Sequence, residues 1–137
     1  MNPETFERLF AAIVISGLGI AAYLLANRLI LSKAESKVKR FAAYHSGHPA
    51  IVYFTTPTCA PCKTVQRPAI ESLKKILGER LQVIEVDASQ QPELAQDWGV
   101  LSVPTTFVID SEGTPRHVNH GVATAEKLTH QLEDFEI

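Results

Sequence analysis

The sequence predicts an α/β domain built on a central mixed sheet of about four strands flanked by helices, preceded by one N-terminal transmembrane helix. Three features of the 137-residue chain lead there. Residues 9–27 contain no charged side chain, short β-branched runs alternate downstream with stretches of helical periodicity, and the only two cysteines stand where a strand pattern gives way to a helical one. A chain of this length holds one core and a short appendage. The expected division is residues 1–31 for the N-terminal segment and membrane helix, 32–48 for a juxtamembrane helix or linker, and 49–137 for the folded domain.

The apolar run LFAAIVISGLGIAAYLLAN continues past Arg28 into Leu29, Ile30 and Leu31. At helical rise it spans about 30 Å, the thickness of a bilayer's hydrocarbon core. A buried core helix is the alternative, but so small a domain has no interior able to surround such a segment on every side. A cleaved signal peptide fits less well, because Glu4 and Glu7 stand where a basic cluster belongs and the run is too long. We therefore expect an uncleaved anchor in a cell membrane, crossing once, with the lipid bilayer as a partner. Gly17, Gly19, Ala21 and Ala22 offer a small-residue surface to a second helix. Arg8 alone precedes the span, whereas Arg28, Lys33, Lys37, Lys39 and Arg40 follow it, a count that favours a cytoplasmic domain.

Residues 32–44, rich in Lys, Ala and Glu with Val38, Phe41 and Ala42 at helical spacing, extend the anchor as helix until the stop signals Gly47 and Pro49. Residues 50–55 (AIVYFT) read as a buried strand. Residues 63–77 form a helix bent at Pro68, with Val65, Ala69, Ile70, Leu73, Ile76 and Leu77 as its apolar stripe. Residues 81–86 give a second strand, parallel to the first because a helix separates them. A short helix over 92–98 stops at Gly99, a hairpin pairs 105–110 with 114–119 around Ser111, Glu112 and Gly113, and a last helix starts at its cap Thr124, with Leu128, Leu132 and Phe135 on one face.

Charge and cysteine usage narrow the function. The net charge is −2 and basic residues cluster only beside the anchor, so no nucleic-acid partner is expected. Two cysteines three positions apart cannot staple distant segments. Cys59 lies at a strand-to-helix junction, where unpaired backbone N–H groups and the helix dipole favour negative charge. Such surroundings lower a cysteine pKa from about 8.5 into the range of about 3.5 to 7.5, and Lys63 adds a positive charge nearby. Cys62, one turn on, reaches Cys59 to close a local disulfide or to resolve a mixed one, so Cys59 attacks and Cys62 resolves. Pro61 lacks an N–H and suits an early helical position. The competing reading is half a zinc site completed by His45 and His48, but a second C-x-x-C is absent, and His117, His120 and His130 show no stronger ligand pattern. No metal and no cofactor is expected.

The segments IVYFTTPTCAPCK (51–63) and GVLSVPTTF (99–107) resemble the thioredoxin-like family, over a match running from about Pro49 to the C-terminus. The resemblance implies a thioredoxin-like fold and a membrane-anchored thiol–disulfide oxidoreductase working through Cys59 and Cys62, most simply as a reductant. Its partners would be client proteins carrying thiols or disulfides and an upstream dithiol reductase. The resemblance also implies a cis peptide bond before Pro104, with Val103 and Pro104 meeting an extended substrate. Anchored proteins of this kind commonly face the outer, periplasmic or lumenal side, against the basic-residue count. Several positions depart from the family pattern. Tyr53 stands where a buried Asp is usual, Val83 aligns with that Asp's Lys partner, Thr58 replaces a Trp, Ala60 replaces a Gly, and Pro68 comes one residue late. The family's extra N-terminal strand also has no counterpart here. With the proton-handling pair changed, Glu85 is a candidate substitute, and a membrane-tethered adaptor or metal-binding module without turnover is the alternative function.

Overall fold

Six successive apolar or β-branched residues, AIVYFT, form strand β1 (Ala50–Thr55), and all six are buried. The reason is β1's place in the sheet. In the computed structural model, which describes residues 2–38, 41, 44–45 and 47–134, β1 runs parallel to β2 (Gln82–Asp87) and antiparallel to β3 (Thr105–Ile109). β3 pairs in turn with β4 (Pro115–His120), and the sheet order is β2-β1-β3-β4. The two inner strands are buried along their whole length, while the outer strands β2 and β4 mix buried and open positions. The mixed four-stranded sheet with flanking helices is the expected fold, and the parallel β1–β2 pair carries the expected helical crossover.

One face of the sheet packs Ile51, Tyr53 and Val108 with Ile70 and Leu73 of α2 (Arg67–Leu77) and Leu128 and Leu132 of α4 (Ala125–Glu133). A second, aromatic cluster joins Phe54 and Phe107 to Trp98, which follows α3 (Pro92–Asp97). The Trp98 ring lies 5.7 Å from Phe54 and 5.0 Å from Phe107, tilted or edge-on as ring quadrupoles favour. Thr124 caps α4 as expected, its side-chain oxygen accepting the Lys127 N–H. The β3–β4 turn is held by Asp110, whose buried carboxylate accepts the N–H groups of Glu112 and Thr114 and pairs with Arg116 at 2.6 Å. Gly113 in that turn has φ +89°, a backbone conformation that strains any residue with a Cβ, and a Cβ there would also lie a tight 3.3 Å from the Tyr44 ring.

The N-terminal helix α1 spans Pro3–Val38. The chain divides into two compact units, Met1–Ile30 and Leu31–Ile137. In the first, α1 exposes its apolar side chains, Phe10, Ile13, Leu18 and Leu24 among them. Its most apolar stretch has a mean hydropathy of 2.3 and none of it is buried, which removes the core-helix reading. In the second unit, Ala34 and Val38 of α1 are buried.

Two expectations need correction. Helix was expected to run on to Tyr44, but α1 spans Pro3–Val38 among the described residues, and neither Phe41 nor Tyr44 is helical. Phe41 leaves the helix to set its ring edge-on to Trp98, and Tyr44 to donate its hydroxyl to the carbonyls of Asp110 and Ser111. Tertiary packing overrides helix propensity there. The expected stripe on the helix after the cysteines also shifts: Ile70 and Leu73 are buried, but Val65 is 46% and Ile76 74% exposed. The cause at Val65 is a wide turn, Cys62–Gln66, closed by an i→i+5 hydrogen bond from the Arg67 N–H to the Cys62 carbonyl. One extra residue in a turn rotates the preceding residues by roughly 100° relative to the rest of the helix, so Gln66 rather than Val65 faces inward. Lys39, Arg40, Ala42 and Phe135, on which other expectations rested, lie outside the described residues.

Candidate active site

The cysteine segment leaves the sheet at the C-terminal end of β1. The Cys59 carbonyl accepts the first helical hydrogen bond, from the Lys63 N–H at 3.4 Å, so Cys59 occupies the cap position of the helix that begins at Ala60. Its Sγ takes the part a capping oxygen usually plays, accepting the Cys62 N–H at 3.2 Å. Cys59 and Cys62 are joined in a disulfide, with Cα atoms 5.3 Å apart. Both are buried, Cys62 at 1% exposure and Cys59 at 9%, so Cys59 is the less buried residue of the pair. Ala60, Pro61 and Lys63 around them are exposed.

Sheet register brings the second sequence segment to the same place. Phe54 pairs with Thr105, so the residue before Thr105 lies beside the end of β1 from which the cysteine segment departs. That residue is Pro104, and the Val103–Pro104 bond is cis, as expected. The Pro104 carbonyl accepts the Gly121 N–H at 2.9 Å, which draws the loop after β4 to this end as well. Leu101, three residues before Pro104, is 93% exposed. A concavity of about 500 Å³ beside His117, His130 and Asp134 includes none of these residues, whereas a groove of about 240 Å³ runs between Thr56, Pro57, Lys63, Arg67 and Glu85. The cysteine site is an open edge suited to a macromolecule.

Tyr53 does not stand alone in its unusual position. The β1–β2 register sets Glu85, not Val83, directly across from it, and side chains at paired positions share a face. The Tyr53 hydroxyl donates to Glu85 at 2.6 Å, Arg67 pairs with the same carboxylate at 2.8 Å, and the Arg67 Nε–H points to the phenol oxygen at 3.5 Å. Burial, and then the bond to Glu85, push the Tyr53 phenol above its ordinary value, with Arg67 opposing. Arg67 was not singled out in the sequence, and it carried no local signal there.

His45 and His48 sit at the opposite end of β1. Gln82, paired with Ala50, binds the His45 backbone N–H at 2.9 Å and the His48 carbonyl at 3.0 Å. A six-residue strand is about 20 Å long, so these histidines and the cysteines cannot share an ion. Among the described residues no group of three or more His, Cys, Asp or Glu is arranged to hold a metal.

A four-stranded mixed sheet, a closed cysteine pair at a helix start and a cis-proline at the same sheet end together define a dithiol–disulfide redox protein. The thioredoxin family profile matches residues 32–134. Over 90 residues the chain is 32% identical to a thioredoxin-like protein of Synechocystis, covering 66% of this chain and 84% of that one. It is 33% identical over 69 residues to a thioredoxin of Bacillus subtilis, covering 50% of this chain and 65% of that one. Among solved structures it resembles thioredoxin-2 of the malaria parasite, described as a component of a protein secretion machinery (TM-score 0.61, 21% identity, 66% of this chain, 86% of that one). A mutant thioredoxin of Halobacterium salinarum is similar in fold (TM-score 0.59, 22% identity, 66% and 77% covered). The chain belongs to the thioredoxin family, and its cysteine pair makes it a thiol–disulfide oxidoreductase.

Proposed function

We propose that the protein is a membrane-anchored reductant of protein disulfides, with Cys59 as nucleophile and Cys62 as resolving thiol. The observation that carries this reading is the closed pair itself: two sulfurs bonded at a helix start, with Cys59, the less buried residue of the two, accepting the N–H of Cys62 and flanked by the exposed Ala60, Pro61 and Lys63. The helix start and the capping N–H favour negative charge on Cys59 once the pair is reduced. The Cys59 thiolate then attacks one sulfur of a client disulfide, a bond forms between them, and the other client sulfur leaves as a thiolate. The Cys62 thiolate next attacks the Cys59 sulfur, the client's second sulfur leaves with its electron pair, and the Cys59–Cys62 disulfide results. Two electrons and two protons from an upstream dithiol protein restore the starting form.

Val103 and Pro104 form the edge along which the client chain lies, Pro61 starts the helix without an N–H, and Lys63 supplies a cation beside the groove. The length and exposed apolar surface of α1 support a single crossing of a bilayer, and the basic residues after it favour a cytoplasmic domain. A Cys62→Ser chain expressed in its host should hold clients as mixed disulfides on Cys59. The compartment of those clients reports the side of the membrane, and failure of the wild-type pair to reduce insulin or to equilibrate with glutathione overturns the reading.

A further inference from the structure

Gln66 forms an arrangement that the exchange steps above leave unused. It ends the wide turn that begins at Cys62, and it is 0% exposed. Both ends of its amide engage one residue: the Ala123 N–H donates to Oε1 at 2.8 Å, and Nε2 donates to the Ala123 carbonyl at 3.1 Å. A buried amide is costly unless satisfied, and two bonds to one residue's backbone fix both its distance and its orientation. Turns closed by an i→i+5 bond are rare and cluster at functional sites. Here the turn is secured from outside the helix, by a loop whose Gly121 N–H is bonded to Pro104 and whose Thr124 caps α4.

We infer that Gln66 is a positioning residue for the redox pair: by clasping Ala123 it holds the wide turn, and with it Cys62, at the place from which Cys62 reaches Cys59. The inference rests on Cys59 and Cys62 being the working pair. Its physical content is an effective concentration. In the disulfide, the covalent bond keeps Cys62 beside Cys59 whether or not the clasp exists. In the dithiol, and in a mixed disulfide on Cys59, only the backbone does so. Loosening the turn therefore gives freedom mainly to the open forms, which weakens ring closure and slows resolution by Cys62. It also explains the late proline: the extra residue of the wide turn displaces Pro68 by one position and brings Gln66 inward.

The test uses the full chain in detergent micelles. The oxidised fraction is measured in glutathione buffers of fixed ratio, together with the lifetime of the mixed disulfide between Cys59 and glutathione. A measurable wild-type equilibrium establishes the working pair independently of Gln66. Gln66→Leu fills the space without either bond; its closing constant should fall about fivefold to tenfold and the mixed disulfide should persist longer by a similar factor. Gln66→Glu supplies a second test. Its protonated carboxyl donates to and accepts from Ala123 as the amide does, but its carboxylate cannot donate. That variant should match wild type at low pH and fall behind as pH rises through the introduced group's pKa. The inference is overturned if folded Gln66→Leu matches wild type in both measurements, with only its thermal midpoint lowered. It is equally overturned if the gap between Gln66→Glu and wild type does not change with pH. Should Gln66→Leu fail to fold, the Gln66→Glu comparison decides, because its acid form retains the clasp.

Discussion

Replacing Tyr53 by Phe removes one oxygen and nothing else from the β1–β2 face. The ring is 2% exposed and its packing against Ile51, Ile70 and Leu73 is unchanged by the substitution. What disappears is the 2.6 Å bond to Glu85 and the long approach of Arg67. Hydrogen bonds to charged groups contribute about 1.5–3 kcal/mol, but this carboxylate is 46% exposed and keeps Arg67 at 2.8 Å, so water and Arg67 compensate it. The cost of Tyr53→Phe should therefore be about 1 kcal/mol, below that scale, or roughly 4–8 °C in thermal midpoint. The effect should depend on pH. The folded phenol lies above its ordinary 10.0, so at alkaline pH the folded chain binds more protons than the unfolded one. The stability linked to Tyr53 is complete below the ordinary value and is lost as pH rises through the raised one. Full-length wild type and Tyr53→Phe, unfolded thermally in detergent at neutral pH and again at alkaline pH, should converge as pH rises. Absorbance titration should show a late-titrating phenol that the substitution removes. A loss above about 3 kcal/mol would contradict the compensation by water and Arg67, and parallel pH curves would contradict the raised phenol.

Other outcomes follow from the same geometry. Thr124→Ala leaves the Lys127 N–H without its side-chain acceptor and should cost about 1 kcal/mol, read by urea unfolding. Burial is the main force lowering the His117 pKa below its ordinary 6.5, against the pull of Asp134. The folded chain therefore binds fewer protons at that ring, its stability is full above pH 6.5 and falls as pH drops below it, and His117→Gln should flatten the decline. Leu101→Asp, at a 93% exposed position, should change stability by less than about 0.5 kcal/mol while raising KM for insulin reduction severalfold at unchanged kcat. An unchanged KM there would separate that loop from the client path.

How far the sequence carried the fold is clearest in β1 and the elements after it. AIVYFT, the C-x-x-C, the Thr124 cap and the Ser111-Glu112-Gly113 turn each encode their structure within a few residues. Period, capping and turn chemistry act locally, so strands, helices and the cysteine pair were legible there. The cis bond before Pro104 was expected through the family resemblance alone. Only tertiary structure set Glu85 rather than Val83 opposite Tyr53, because register depends on how two distant strands align. Tertiary contacts likewise set Phe41 against Trp98 and Gln66 against Ala123, and the wide turn before α2 leaves Val65 exposed. A buried amide's partner 57 positions away leaves no trace in local pattern, since nothing in the neighbourhood of Gln66 specifies which backbone will arrive to meet it.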